Sequence, residues 1–515
     1  MARYIKSIHP FLLPIVLSYL VLGTLYAWQT PKWQTPDEPA HFNYVQHLAE
    51  EHRLPVLQPG DYPHPYLEEI KSKKFPPDMS IAPIRYEFHQ PPLYYALAAI
   101  LYRLTAGLPF DAQFFALRFL SVILGAGILL ATYRLVLAIF PHNQFLPLAA
   151  TAFVAVVPMH VAMTAAINND ALAELLASLI LYLSIRTLQE GPTLRRALFS
   201  GLLLGLVLLT KTTVYLLAAS SIVMSTLWCQ ETSPHSSTSS LSKGRYLLYG
   251  FALALLIAAP WFVRNAMVYG GLDILGWQRH DSIVTGQLRT TELLAEIGPL
   301  SFAWRFIRTT FHSFWAQFGW MGVPVDSRMY LALALFTALL GVGFCLFIIR
   351  ARHGQSGLTP VQSRALLLMA IIALLSLFTY LAYNLKFVQH QGRYLFTALG
   401  ALSLGAALSL QELLRPSTAR MLAIALFLLS LLLYVQGLLS GDMHKWALAM
   451  MLPAIAFFIA VGWLPSAWRW LPPLLLYLAF LLLDLLCLFR YIIPMLSTTA
   501  SLFVSCRGLF LPPST

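Results

Sequence analysis

Charge is what this sequence has least of. Only 11% of its 515 residues are Asp, Glu, Lys or Arg, while 58% are hydrophobic. A soluble domain carries roughly 25% charged residues, so there is too little polar sequence here to coat a water-soluble core of this size. Cysteine is sparse as well. Cys229, Cys345, Cys487 and Cys506 are scattered, and none has the paired spacing of a metal site, which leaves no zinc-cysteine centre and no disulfide framework to expect. No sequence repeat is evident, and a cleavable leader is not expected either. Arg3 and Lys6 precede an apolar run to about Trp28 that is too long for a signal-peptide core and lacks a small-residue cleavage site after it. It reads as a retained first helix with its N-terminus in the cytoplasm.

What the chain has instead is apolar runs, each close to the ~20 residues that cross a bilayer as a helix. They fall at about residues 10–28, 113–138, 145–166, 171–188, 198–228, 246–264, 329–350, 365–383, 394–411, 421–440, 448–464 and 472–492. The net charge is +12, but the basic residues sit mostly in short loops. They therefore read as topology signals and headgroup contacts, and no nucleic acid partner is expected. Two segments decide the topology. Residues 91–104 are short for a span, and 198–228 are long enough for a tight hairpin of two. If the first lies on the surface and the second folds as a hairpin, Arg134, Arg186, Arg195 and Arg196 all face the cytoplasm, as the positive-inside rule favours. The result is an all-α polytopic protein of about 13 spans. A first outer loop covers 29–109, including surface helices, and a second covers 265–328; a Ser-rich stretch, 233–242, falls on the cytoplasmic side. Residues 1–440 read as the catalytic module and 441–515 as C-terminal membrane helices.

On that topology the polar residues converge on the outer face. Pro36-Asp37-Glu38-Pro39-Ala40-His41-Phe42 follows the first span. Its adjacent carboxylates suit a divalent cation or a general base, and equally a helix cap, with flanking prolines stiffening the backbone. His41, four residues after Asp37, shares a helix face with it. Asn168-Asn169-Asp170 joins two spans almost without a loop, and Asp170 opens a membrane helix with Glu174 at i+4. Charges there usually line a polar cavity, although Asn-Asn-Asp also suits a turn and cap. Lys211 interrupts the apolar run at the expected tip of the hairpin, as a phosphate-binding cation or a snorkelling lysine. Arg264-Asn265 and Gln391-Gly392-Arg393-Tyr394 place arginines on a face where they should be scarce, and Arg suits bidentate contact with phosphate. His89-Gln90 precedes Pro91-Pro92 at a helix start, and the loop pair His280-Asp281 is within possible reach of the same face.

These motifs, in this order between the spans, resemble the GT-C superfamily of membrane glycosyltransferases, in the branch of bacterial aminoarabinose transferases, protein O-mannosyltransferases and uncharacterised relatives. The residues that carry the resemblance are Pro36 to Phe42, His89 to Tyr95, Asn169-Asp170, Gly205 to Lys211, Arg264-Asn265 and Gly392-Arg393-Tyr394-Leu395. It runs from about residue 10 to residue 411. The resemblance implies a bundle of 11 to 13 helices with surface helices in the first loop. It also implies a polyprenyl-phosphate-linked sugar donor and inverting transfer to a glycan, glycolipid or protein acceptor on the outer face of the plasma (inner) membrane. Asp37 matches the catalytic acidic position and Asp170 the second acidic one. Asn169-Asp170 departs from the Asp-x-Glu of oligosaccharyltransferases, so a Mg2+ or Mn2+ held by Asp37, Glu38 and Asp170 stays an open question.

The residue set drawn from the sequence is then Asp37, Glu38 and Asp170 for catalysis, with Asp37 as base on the acceptor hydroxyl. His41, His89, Gln90, Asn169, Lys211, Arg264, His280, Arg393 and Tyr394 are expected to bind substrate. Lys211 and Arg393 would stabilise the leaving phosphate. An outer-leaflet glycan polymerase or ligase, and a polyprenyl-lipid flippase or transporter, are the rival readings. The second would more often show repeats and helices broken at the midplane.

Overall fold

The structure, a computed structural model, describes residues 9–229 and 241–498. Arg3, Lys6, Cys506 and nearly all of the Ser-rich stretch lie outside the described residues. The long apolar runs form helices because intrahelical bonds satisfy every backbone polar group without water. Helix α1 is Leu12–Gln29. The first loop then folds into α2 (Glu38–Glu51), α3 (His64–Ser72), a tight turn Tyr86–His89 and α4 (Leu93–Leu104). Next come α5 (Phe110–Ile139), α6 (Phe145–Ala155), α7 (Pro158–Thr164) and α8 (Asp170–Glu190). The hairpin is α9 (Leu194–Leu208) and α10 (Tyr215–Trp228), followed by α11 (Lys243–Tyr269). The second loop carries α12 (Trp277–Ile283), α13 (Thr290–Ile297) and α14 (Pro299–Trp315). A two-residue hairpin, β1 (Gln317–Phe318) with β2 (Val323–Pro324), closes it. The remaining helices are α15 (Ser327–Arg352), α16 (Pro360–Asn384), α17 (Leu399–Leu413, entered through the turn Gly392–Ala398), α18 (Pro416–Ser440), α19 (Lys445–Trp463), α20 (Leu471–Leu486) and α21 (Ile493–Leu496).

Ten of these helices are long and apolar enough to cross a membrane, and α6 with α7, bent by 67°, makes an eleventh. Pro158 at the start of α7 accounts for the bend, since it cannot donate into the preceding turn. The hairpin helices α9 and α10, 15 and 14 residues long, are each shorter than a usual span, so ten or eleven helices among the described residues reach spanning length against the 13 expected. Helix α4 has only 12 residues and leaves Leu97, Ile100 and Leu104 exposed, the one-sided pattern of a surface helix.

Hydrogen bonds tie the polar connections together at one end of the bundle. The Leu93 amide donates to the Leu209 carbonyl, at 2.8 Å, which joins the first loop to the hairpin tip. The Ile167 amide, between α7 and α8, donates to Glu38 at 3.2 Å. The second loop lies over the first: Trp320 Nε1 donates to the Trp33 carbonyl at 2.9 Å and Arg279 Nε to the Leu57 carbonyl at 3.0 Å. The C-terminal helices are built into the same bundle. The Tyr26 hydroxyl on α1 donates to the Asp484 carbonyl on α20 at 2.8 Å, and Ser18 meets Tyr477. An apolar cavity of about 460 Å³ lies among α15, α17, α19 and α20, lined by residues such as Phe336, Leu413, Phe457 and Phe480.

Helices α9 and α11 approach closely through two glycines. A Cβ on Gly201 would meet the Gly250 carbonyl oxygen and Cα, which are backbone and cannot turn aside. Gly201→Val is therefore expected to lower stability by about 1–3 kcal/mol, as overpacking generally does. A thermal unfolding curve of the purified protein in detergent checks it, and an unchanged midpoint refutes it.

Candidate active site

The adjacent carboxylates Asp37 and Glu38 go to different partners. Asp37 precedes α2 with φ +68°, a left-handed conformation that aspartate tolerates better than most residues. Glu38 is wholly buried and forms a bidentate pair with Arg118 of α5, Oε1 to Nε and Oε2 to Nη2, both 2.7 Å. Its oxygens also accept from the Trp33 and Ile167 amides. The rest of the Arg118 guanidinium donates to the carbonyls of Ala27 (3.0 Å), Thr30 (2.6 Å) and Pro31 (3.3 Å). These belong to the C-terminal end of α1, where carbonyls lack intrahelical partners. Glu38 thus has all its acceptor capacity taken by fixed donors.

Asp37 instead faces the polar cluster. Its Oδ2 accepts from Arg393 Nη2 and its Oδ1 from the Tyr86 hydroxyl, both at 2.8 Å. Burial by itself would raise this carboxyl. The positive charge of Arg393, the neighbouring His41, and the hydrogen bonds from Arg393 and Tyr86 together hold it below the usual carboxylate range. Arg393 is set by its turn: Gly392 donates to Ser313 Oγ at 2.7 Å, and a Cβ on Gly392 would strike the backbone of α14 at Thr310 and Phe314. Arg393 Nε reaches Gln391 Oε1 at 2.7 Å, while Nη1 meets only the Met163 sulfur, at 3.6 Å.

A second pair stands beside it. Lys211 Nζ, at the hairpin tip, donates to Asp170 Oδ1 at 2.6 Å and to Asn169 Oδ1 at 3.0 Å. Asn169 in turn donates to the Thr210 carbonyl and to Gln90 Oε1. An ammonium has three donors and a guanidinium five, so both cations keep N–H groups for a further anion while holding their aspartates. His41 Nδ1 lies 2.8 Å from the Tyr95 hydroxyl, and Tyr95 stacks flat on Tyr44.

Other residues singled out from the sequence fall elsewhere. Arg264 bonds the Pro55 and Leu54 carbonyls and its own neighbour Asn265, over the rings of Trp261 and Tyr269, and so braces the first loop. Tyr394 flanks Arg393 and packs near Tyr380 and Tyr383. His89 and His280 lie side by side, ring centres 4.4 Å apart, joining the two loops. Glu174 does not join Asp170 but pairs with His160 Nε2 at 3.0 Å. The metal expectation does not fit these residues. Asp37, Glu38 and Asp170 are paired with Arg393, Arg118 and Lys211 respectively, and among the described residues no three His, Cys, Asp or Glu side chains group as a metal site. The sequence reading passed over Arg118, Tyr86, Glu87 and His160, and named Tyr95 only as part of the motif His89 to Tyr95. A signal existed for Arg118, since an arginine inside an apolar run is a functional-site flag by default.

Residues 89–263 match the family model described as dolichyl-phosphate-mannose-protein mannosyltransferase. The matched region includes His89, Gln90, Arg118, Asn169, Asp170 and Lys211, and excludes Asp37 and Arg393. No curated protein matches the chain. Among solved structures, apo ArnT from Cupriavidus metallidurans aligns at a TM-score of 0.50 and 13% identity, over 93% of this chain and 78% of that one. ArnT from the same organism bound to undecaprenyl phosphate aligns at 0.44 and 14%, over 95% and 74%. AglB, the archaeal oligosaccharyltransferase of Archaeoglobus fulgidus, in complex with an inhibitory peptide and a dolichol-phosphate, aligns at 0.42 and 12%, over 92% and 56%. The apo ArnT alignment shows a shared fold, the GT-C type bundle.

Two predictions come from this geometry. Removing one partner of the buried Glu38–Arg118 pair leaves the other charge uncompensated, so Glu38→Gln and Arg118→Met should each cost about 3–5 kcal/mol, with the double variant costing less than the sum. A double-variant cycle on thermal stability measures this; strict additivity would contradict the pairing. The second concerns pH. Burial pushes His89 down to about 4, and burial together with His89 pushes His280 down to about 3. Both rings titrate near 6.5 in an unfolded chain. Their contribution to stability is therefore complete above pH ~6.5 and declines as the pH falls toward 4, because the unfolded chain binds the extra protons. Melting curves across that range should show the decline, and His280→Phe should flatten it.

Proposed function

We propose that this chain is an integral-membrane glycosyltransferase that moves a hexosyl or pentosyl group from a polyprenyl-phosphate donor to an acceptor at the outer face of the plasma (inner) membrane, with inversion. The observation that carries this reading is the pair of aspartate-held cations, Arg393 on Asp37 and Lys211 on Asp170, at one end of an apolar bundle. Both retain free N–H donors, and a phosphate between them is the anion that such an arrangement suits. The match of residues 89–263 to a dolichyl-phosphate-mannose-protein mannosyltransferase model and the GT-C fold support the same reaction class. Catalysis is assigned to residues 1–440, and the helices of 441–515 support the bundle.

In this mechanism Lys211 and Arg393 take the donor phosphate and stabilise the charge that grows on it as the anomeric C–O bond breaks. Preorganised cations in a poorly hydrated site are effective there, because they need no reorientation during the reaction. A phosphate is already a good leaving group, so the site needs no strong general acid. The acceptor hydroxyl attacks from the face opposite the phosphate. Asp37 fixes the guanidinium of Arg393 on one side and the Tyr86 hydroxyl on the other, and so sets the distance between the phosphate site and the acceptor side. Glu38, through Arg118, holds the backbone that presents Asp37. Gln90 and Asn169 line the space near Lys211 and suit sugar hydroxyls. A flippase would need charges distributed along a pathway through the bundle, whereas these cluster at one end.

Purified protein tested against a panel of radiolabelled polyprenyl-phosphate sugars should transfer label from at least one donor. Asp37→Asn should lose about 10²-fold or more in kcat/KM, within the range of a positioned catalytic carboxylate. Arg393→Lys should impair transfer strongly, since a point charge does not replace the planar fork. Full activity in Asp37→Asn would remove it from the site.

A further inference from the structure

The apolar cavity among α15, α17, α19 and α20 plays no part in the proposed transfer. It measures about 460 Å³, and every side chain that lines it is apolar, Met329, Phe336, Leu413, Phe457 and Phe480 among them. Water finds no hydrogen-bond partner in such a space, and an empty one forfeits dispersion contacts along its walls. The cavity is not sealed. Leu475 at its rim is 53% exposed, and Ala332, Pro453 and Ala479 are exposed as well. In a multi-pass bundle such a rim faces hydrocarbon, so an acyl chain can enter from the side.

One end of the cavity is marked by charge. Leu413 and Leu414 line it and run directly into Arg415, in the turn between α17 and α18. Beside them Glu412 is only 3% exposed. Its Oε2 lies 2.9 Å from Arg415 Nε and 3.1 Å from Nε of Arg350, in the last turn of α15. One buried carboxylate thus sets two guanidiniums side by side. Each has five N–H donors, so a single shared oxygen leaves most of that capacity for a further anion. Other cations gather at the same end. Arg352 closes α15, and Arg469 stands in the turn between α19 and α20. A Cβ on Gly462 would meet Arg420 Cγ at 2.7 Å, which brings the start of α18 against the end of α19. From Arg350 to Arg364, from Gln411 to Arg420 and from Gly462 to Leu474, Glu412 is the single acidic residue. Trp463, Trp468 and Trp470 are exposed there, as aromatic rings at headgroup level are. This end is opposite the polar cluster, because α17 starts at the turn that carries Arg393 and ends at Leu413.

We propose that this end of the bundle binds a phospholipid with a net negative headgroup, its phosphate on Arg350 and Arg415 and one acyl chain in the cavity. A basic pocket between membrane helices recognises an anionic headgroup by charge and by hydrogen bonds to phosphate oxygens, and the cavity supplies the place for the chain. The opposite end of the cavity is less suited to the phosphate. There Arg328 is exposed, already has Asp326 at 3.8 Å, and lies flat on the Trp446 ring. The bound lipid fills the space that α19 and α20 leave against α15 and α17, and so joins the C-terminal helices to the rest of the bundle. The site is separate from the sugar-transfer cluster and does not depend on that reading.

The test uses the full-length protein, purified in detergent and stripped of lipid. It is titrated with dioleoyl phosphatidylglycerol or dioleoyl phosphatidylcholine, and binding is read by native mass spectrometry and thermal unfolding. Phosphatidylglycerol should bind about fivefold or more tighter than phosphatidylcholine and raise the unfolding midpoint. Arg350→Gln combined with Arg415→Gln should weaken it about fivefold for each arginine removed. Ala479→Trp, which fills the cavity from its exposed rim, should lower the binding of both lipids. Arg134→Gln, exposed on α5 and away from the cavity, should change neither and so separates this site from lipid held around the whole bundle. Equal binding of the two lipids, wild-type affinity in the double arginine variant, or wild-type binding in Ala479→Trp overturns the proposal. A polyprenyl phosphate that displaces phosphatidylglycerol at equal concentration assigns the cavity to the donor and overturns it too. If the double arginine variant does not fold, the lipid comparison and Ala479→Trp still decide. The readout is lipid binding, so it stands or falls apart from sugar transfer.

Discussion

The buried pair of Glu38 and Arg118 is the contact on which the rest of the site depends. Two charges removed from water inside an apolar bundle persist only if every donor and acceptor is used, and here they are: two bonds between the pair, two backbone amides on the carboxylate, three carbonyls on the guanidinium. Those bonds join the end of α1, the start of α2, the first half of α5 and the α7–α8 connection at one point. The chain on either side has little freedom left. Asp37, one residue before Glu38, is presented from a fixed backbone, and Asn168 to Asp170, just after Ile167, are brought under it.

Around that point the site is organised as matched charges. Each cation is held by one aspartate and a neutral amide, with N–H groups left over. The arrangement keeps lysine and arginine charged and oriented in a region that water reaches poorly, while leaving them able to bind an anion. The second loop adds a cover. Its helix α14 packs directly on Gly392, so that the placement of Arg393 is tied to that loop, and His280 against His89 ties the other end of the loop to the first.

Much of this was legible in the residues. Most spans could be read from apolar length alone, and the two awkward segments, 91–104 and 198–228, form the short helix α4 and the pair of short helices α9 and α10. Lys211 and Asp170, and Arg393 and Asp37, stood out as polar groups against an apolar background, and the structure brings each of these pairs into contact. The contacts of other residues were not legible, because local sequence does not state a partner. Glu38 was expected to support Asp37 or hold a cation, and Arg118, 80 positions later, takes both its oxygens. Arg264 looked like a phosphate ligand, yet the carbonyls at Leu54 and Pro55 lie closer to it than the cluster does. Glu174, one turn after Asp170, is drawn to His160.

The sequence by itself determined that the chain is a multi-pass membrane protein and which of its polar residues stand between the apolar helices. These follow from the energetics of burying backbone and charge in hydrocarbon, which act residue by residue along the chain. Only the tertiary structure decided which carboxylate meets which cation. Pairing depends on distances between segments tens to hundreds of residues apart, and on which acceptors remain once the fixed donors are satisfied. That accounting pairs Glu38 with Arg118, Asp37 with Arg393 and Asp170 with Lys211.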